Sequence, residues 1–154
     1  NDCFTKEKCE ELIKYCENID ASEIKRKILT NQYRIRFIDN ELKCCLENIL
    51  FAKIGVMFNN KELLKSFTYV KYYDGGYVPL HHDHYDGENP KFSVILYLND
   101  NYENGETYIY KDNVKVPIVK KQGKIVIFEG SKILHGSEPV CGVKHVLIMK
   151  LCCE

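Results

Sequence analysis

The chain has 154 residues, enough for one domain with a substantial core. Lys plus Arg and Asp plus Glu number 22 each, so the formal charge is zero and gives no general attraction to nucleic acid or anionic lipid. No apolar run approaches the roughly 18–20 residues needed to span a bilayer, and no signal peptide is visible. The expectation is an intracellular monomer with neither a nucleic-acid nor a membrane partner.

Thr5 suits a helix N-cap, and Cys9, Leu12, Ile13 and Cys16 then recur at i, i+3, i+4 and i+7. Residues 33–38 read as a short strand. Asp39 then caps a second helix with Leu42, Cys45, Leu46 and Ile49 on one stripe. After Asn59 and Asn60 the character changes. Residues 67–73 are β-branched and aromatic and end at the turn signal Asp74-Gly75-Gly76. Further strands are expected at 92–98, 107–111, 114–119, 124–128 and 143–151, with Gly, Pro, Asn or Asp between them. Short strands without intervening helices predict a sandwich or barrel. The reading is one α+β domain over 1–154, helical over 1–60, with a β core over 66–152.

Of the eight cysteines, Cys44 with Cys45 and Cys152 with Cys153 are sequence neighbours. That is not a usual disulfide framework, and no C-x-x-C pair offers a zinc ribbon. Mostly reduced thiols are expected, with Cys9 and Cys16 buried as small hydrophobes.

The densest chemistry lies in Leu80-His81-His82-Asp83-His84. In a strand, His81 and Asp83 point the same way, so an imidazole and a carboxylate can grip one metal ion. Two His and one carboxylate on one octahedral face are the ligands of non-haem Fe(II) oxygenases. The candidate third ligand is His135, just past an apolar strand and the Gly130-Ser131 turn. Lys144 follows within the last apolar strand, on the face it shares with Val146 and Ile148. A charge there needs a partner, which an anionic ligand carboxylate would supply. A lone His-x-Asp is weak, and Lys144 alone reads as a solvated edge residue. The ordered set of His-x-Asp, strands, His and then a basic residue is specific. An alternative is a zinc site using His82 and His84, which share the opposite face.

The motifs resemble those of Fe(II)/2-oxoglutarate oxygenases of the prolyl 4-hydroxylase type, over roughly residues 9–151. Tyr72-Tyr73-Asp74-Gly75-Gly76-Tyr77-Val78-Pro79-Leu80-His81 resembles the family's approach to His-x-Asp. Ser93-Val94-Ile95-Leu96-Tyr97-Leu98-Asn99 resembles its strand ending in Tyr-Leu-Asn, and Asn104-Gly105-Glu106-Thr107 its Gly-Gly-x-Thr. Gly123 to Phe128 resembles its Gly-x-x-x-x-Phe strand. His135-Gly136-Ser137-Glu138-Pro139-Val140 and Gly142-Val143-Lys144 resemble its distal His, Pro-Val, Gly and basic residue. Asn104 departs from the first Gly of its pair, and Lys91-Phe92-Ser93 from the more usual Arg and Thr.

The resemblance implies a double-stranded β-helix, or jelly-roll, core with N-terminal packing helices. It implies iron on His81, Asp83 and His135, and the distal carboxylate of 2-oxoglutarate on Lys144, helped by Tyr97 or Tyr73. His145 is the alternative to Lys144. It implies O2 as co-reactant, ascorbate as reductant, and hydroxylation of a prolyl residue in a peptide or protein, with succinate and CO2 as co-products. Segments 84–91, 100–104 and 53–65 could shape a peptide groove, whereas Arg34 and Arg36 read as surface residues. The competing reading is a non-catalytic jelly-roll module that binds peptide and retains a metal site.

Overall fold

The computed structural model describes residues 4–19, 24–27, 30–54, 63–83 and 90–152. Helix α1 (Lys6–Glu17) starts where Thr5 Oγ1 accepts from the Lys8 amide at 3.3 Å. It buries Cys9, Leu12 and Cys16, the expected stripe. Strands β1 (Ile24–Lys27) and β2 (Gln32–Phe37) form an antiparallel pair. The N-terminal region therefore supplies sheet as well as helices, and β1, rich in Lys and Arg, was not expected as a strand. Helix α2 (Asn40–Ile54) is capped by Asp39, whose Oδ1 accepts from the Leu42 amide at 2.8 Å. Leu42 and Leu46 are buried, but Cys45 is exposed, against expectation. Residues one and two turns apart already complete the contact, which leaves Cys45 outside the stripe.

Nearly all the rest is antiparallel strand: β3 (Leu63–Tyr72), β4 (Val78–His81), β5 (Pro90–Tyr97), β6 (Glu103–Asn104) and β7 (Thr107–Lys111), then β8 (Val114–Pro117), β9 (Ile125–Phe128), β10 (His135–Ser137), β11 (Val140–Cys141) and β12 (Lys144–Cys152). One sheet runs β1-β2-β3-β12-β5-β9, a second β4-β10-β7-β8, and β11 pairs with β6. β12, buried between β3 and β5, sets the alternation. Its Leu147 and Met149 join Phe67, Tyr69, Val94, Leu96 and the helix residues Cys9, Leu12, Leu42 and Leu46 in an outer core. Val146, with Ile148 packed against it, joins Val70, Tyr72, Ile95 and Tyr97 in an inner core. Period-two alternation thus divides one sheet between helices on one side and the second sheet on the other. Each fully buried aliphatic or aromatic side chain contributes about 1.5–3 kcal/mol.

Tight turns fix the strands that carry polar groups. Asp74 and Gly75 turn the chain between β3 and β4, with Gly75 at φ 78°. The Gly75 amide donates to Val140 O, the Val140 amide donates to Gly76 O, and Asp74 Oδ1 accepts from Gly142. A Cβ on Gly76 would meet Asn31 O and Tyr73 O at 2.7 Å, so only glycine passes here. Asn104 adopts φ 52°, a conformation Asn tolerates, which accounts physically for its standing in place of Gly. The β7–β8 hairpin turns on Asp112 and Asn113, both at positive φ (51° and 62°), as a two-residue type I′ turn requires.

Candidate metal and cosubstrate site

β10 pairs with β4 so that His135 lies directly opposite His81. The two rings are 4.3 Å apart, and Phe128 closes against His135 edge-on at 4.7 Å. His81 Nδ1 lies 2.8 Å from Pro79 O, and His135 Nδ1 lies 2.7 Å from Ile133 O. A carbonyl only accepts, so each Nδ1 carries the proton, and in the neutral ring Nε2 carries the lone pair. Both Nε2 atoms face one carboxylate. His81 Nε2 is 3.4 Å from Asp83 Oδ1, and His135 Nε2 is 3.4 Å from Asp83 Oδ2.

Contrary to the alternation argument, Asp83 is not part of the strand. β4 ends at His81, and Asp83 follows in irregular chain whose amide donates to Gly130 O at 2.9 Å. The side chain is held from other strands: Ser93 of β5 donates to Oδ2, and Lys150 Nζ of β12 lies 2.5 Å from the same oxygen. Burial pushes this carboxyl up, but the Lys150 ammonium and its other hydrogen-bonding neighbours outweigh burial and hold it well below the usual carboxylate range.

Ligand atoms of His81, Asp83 and His135 all lie within 4.8 Å of one another. Two neutral lone pairs and an anionic oxygen turned toward one point repel unless a cation lies among them. The set fits a divalent metal bound on one face, and the His81 side (37% exposed) leaves access from solvent. Gly130 is part of this fit. A Cβ there would run into Ser93 Oγ and Asp83 Oδ2. Gly130→Ala is expected to displace the carboxylate, at a cost of about 1–3 kcal/mol, and to weaken metal binding. Thermal melting with and without Mn(II) checks it; an unchanged melt and unchanged metal shift would contradict the tight seat.

Lys144 lies at the other end of the same face of β12, only 1% exposed. Its ammonium donates to Gly105 O at 2.8 Å, with Thr107 Oγ1 at 3.4 Å. It sits over the rings of Tyr72, Tyr97 and Tyr102 at 5.0, 5.8 and 5.9 Å. Desolvation pushes it down to about 7, against the opposing charge of Glu106. Among the described residues, the buried hydroxyls of Tyr97, Tyr102 and Ser137 have no hydrogen-bond partner. Burial pushes Tyr97 up to about 12 and raises Tyr102 further, so both phenols stay neutral donors. A buried cation beside orphaned hydroxyls is suited to a carboxylate.

The remaining candidates fall as follows. Tyr73 lies away from Lys144 and carries Lys71 over its own ring; Tyr72 occupies the place expected for it. His145 faces the outer core, its Nδ1 2.7 Å from Tyr69 Oη. Arg34 is half-buried, its guanidinium donating twice to Gln32 Oε1, and Arg36 is exposed. His82 is half-buried, whereas His84, with residues 84–89 of the expected segment 84–91 and 55–62 of the expected segment 53–65, lies outside the described residues. Cys9, Cys16, Cys44, Cys45 and Cys141 are free thiols. Tyr72, Tyr102, Thr107, Ser137, Ser93 and Lys150 were not anticipated. Tyr72, Ser93, Thr107 and Ser137 lie within the motifs read from the sequence, and Lys150 lies six residues from Lys144 on a strand where even positions share a face.

The family model for the 2OG-Fe(II) oxygenase superfamily matches residues 67–151, from β3 to β12 and more than half of the chain. The chain belongs to the 2OG-Fe(II) oxygenase superfamily. Solved oxygenases share its fold. A Pseudomonas putida prolyl-4-hydroxylase superposes with a TM-score of 0.82 at 17% identity, over 99% of this chain and 90% of that one. The viral collagen prolyl hydroxylase of Paramecium bursaria Chlorella virus-1, in its 2OG complex, gives 0.72 at 18%, over 100% and 93%. A Trichoplax adhaerens prolyl hydroxylase, in complex with a hypoxia-inducible-factor peptide fragment, gives 0.70 at 15%, over 99% and 79%. No curated protein sequence matches. The architecture of this 2OG-Fe(II) oxygenase is the α+β double-stranded β-helix. Among the described residues, no helix is long and apolar enough to cross a membrane.

Proposed function

We propose that this oxygenase hydroxylates a prolyl residue in a peptide or protein, using His81, Asp83 and His135 to hold Fe(II) and Lys144 to hold 2-oxoglutarate. One observation carries the reading: two lone-pair-bearing Nε2 atoms and a carboxylate converge at one end of a sheet face that buries Lys144 at the other. When bound, iron with 2-oxoglutarate and O2 supplies the oxidising power, yielding succinate, CO2 and a hydroxylated substrate. The protein's part is to bind, orient and exclude water. The carbonyls of Pro79 and Ile133 lock the rings so that Nε2 points inward. Lys144, with the free hydroxyls of Tyr97 and Tyr102, receives the distal carboxylate in a dry pocket, where charge-assisted hydrogen bonds are strong. Val146 and Ile148 lie between the two ends as an apolar floor. Ascorbate serves to keep the iron reduced.

The prolyl substrate is supported by the likeness in fold to the Pseudomonas putida enzyme and to the peptide-bound Trichoplax adhaerens enzyme. The test is succinate formation from 2-oxoglutarate under air with Fe(II) and ascorbate, with and without proline-containing peptides. Peptide-stimulated turnover, with one oxygen added to proline by mass, is the expected result. Turnover without stimulation by any proline peptide would remove the prolyl assignment. Folded, iron-loaded protein that neither turns over nor binds 2-oxoglutarate would return the reading to a binding module.

A further inference from the structure

We infer that Lys150 and Ser93 form a clamp that positions the metal-binding carboxylate of Asp83. The inference rests on the reading of His81, Asp83 and His135 as the iron ligands. β12 brings Lys150 opposite Ser93 of β5, which in turn pairs with Phe128 of β9. Lys150 Nζ reaches both Asp83 Oδ2, at 2.5 Å, and Ser93 Oγ, at 3.0 Å, while Ser93 donates its own proton to Oδ2. Oδ2 thus takes an ammonium and a hydroxyl and lies 3.4 Å from His135 Nε2, while Oδ1 lies 3.4 Å from His81 Nε2. Gly130 closes the remaining side, since a Cβ there would strike both Ser93 Oγ and Asp83 Oδ2. The carboxylate has little room to turn, with side-chain exposure of 11%.

Groups that orient a metal ligand in this way change metal affinity by about 10–100-fold when removed. The clamp also has a distinctive sign. A cation that merely stood near the metal would weaken metal binding by repulsion, so its removal would tighten binding. A cation that fixes the carboxylate does the opposite.

The experiment is Mn(II) titration of metal-free protein by calorimetry, with Co(II) visible absorption as a report of ligand number. Lys150→Met is expected to weaken Mn(II) by about tenfold or more and to change the Co(II) spectrum. Lys150→Arg, which keeps charge and donors, is expected to restore most of both. Ser93→Ala, which leaves every charge in place, is expected to weaken Mn(II) severalfold. Folded Lys150→Met that binds Mn(II) as well as or better than the unaltered protein overturns the clamp. Where Lys150→Met does not fold, Ser93→Ala decides: weaker binding supports the clamp and unchanged binding overturns it. His135→Ala runs alongside. If that variant binds Mn(II) normally, the ligand assignment itself fails; if it loses Mn(II) while Lys150→Met does not, only the clamp fails.

Discussion

His135→Ala should remove Mn(II) binding and 2-oxoglutarate turnover together, each by at least about 100-fold, more than is typical for groups that only orient a ligand. The ring is nearly inaccessible, with a side chain 7% exposed. It is fixed by Ile133 O behind and Phe128 beside it. Nothing else among the described residues can replace its Nε2, because the grouped ligand atoms are those of His81, Asp83 and His135. Removing the ring leaves one imidazole and one carboxylate, too few to hold the metal tightly. Far-ultraviolet circular dichroism should show the fold retained, since β10 keeps its backbone pairing with β4 and β7. The matched control is His82→Ala, which is expected to spare both metal binding and turnover. A His135→Ala variant that turns over normally, or a His82→Ala variant that loses its metal, would overturn the assignment and favour a zinc site on His82.

The site was legible where chemistry and local pattern coincide. His81, Asp83, His135 and Lys144 stand out as an ordered set, His-x-Asp, strands, His and then a charge that interrupts an apolar strand. What holds them was not legible. Asp83 reads as a strand residue by alternation, yet the strand stops two residues earlier, and the groups that aim its carboxylate arrive from the turn before β10, from β5 and from β12. Such contacts depend on sheet order, which no single segment encodes. Tyr72 against Tyr73 is a question of phase: adjacent tyrosines at a strand end face opposite ways, and only pairing of Tyr72 with Lys144 decides between them. Periodicity gave most of β3, β5, β7, β9 and β12. It missed β1, whose Ile-Lys-Arg-Lys sequence has no apolar alternation and whose pairing comes from β2.

Lys144→Met should weaken 2-oxoglutarate binding by at least about 100-fold while making the ligand-free protein more stable. Both effects follow from one fact, a buried ammonium without an anionic hydrogen-bond partner in its pocket. Stripping the partner from a buried carboxylate costs about 3–5 kcal/mol, which sets the loss of affinity. In the ligand-free state the same ammonium is a burden: desolvation pushes it down to about 7 from the ordinary 10.5. Between those two values the unfolded chain holds a proton that the folded chain has lost. Stability of the unaltered protein should therefore rise with pH from about 7 toward 10.5, and Lys144→Met should lack that rise. Binding carries the opposite sign. A carboxylate favours the protonated amine, so affinity for 2-oxoglutarate should fall as pH rises above about 7, by up to about tenfold per unit, and flatten in Lys144→Met. Calorimetric titration of 2-oxoglutarate and thermal melting, each from pH 6 to 9, read the two slopes. Affinity that is level across this range in the unaltered protein would mean that the distal carboxylate does not rest on Lys144. A fall in affinity that persists unchanged in Lys144→Met would place the titrating group elsewhere. Opposed slopes that vanish together would identify one lysine as both the cost of the empty pocket and the source of its selectivity for an anion.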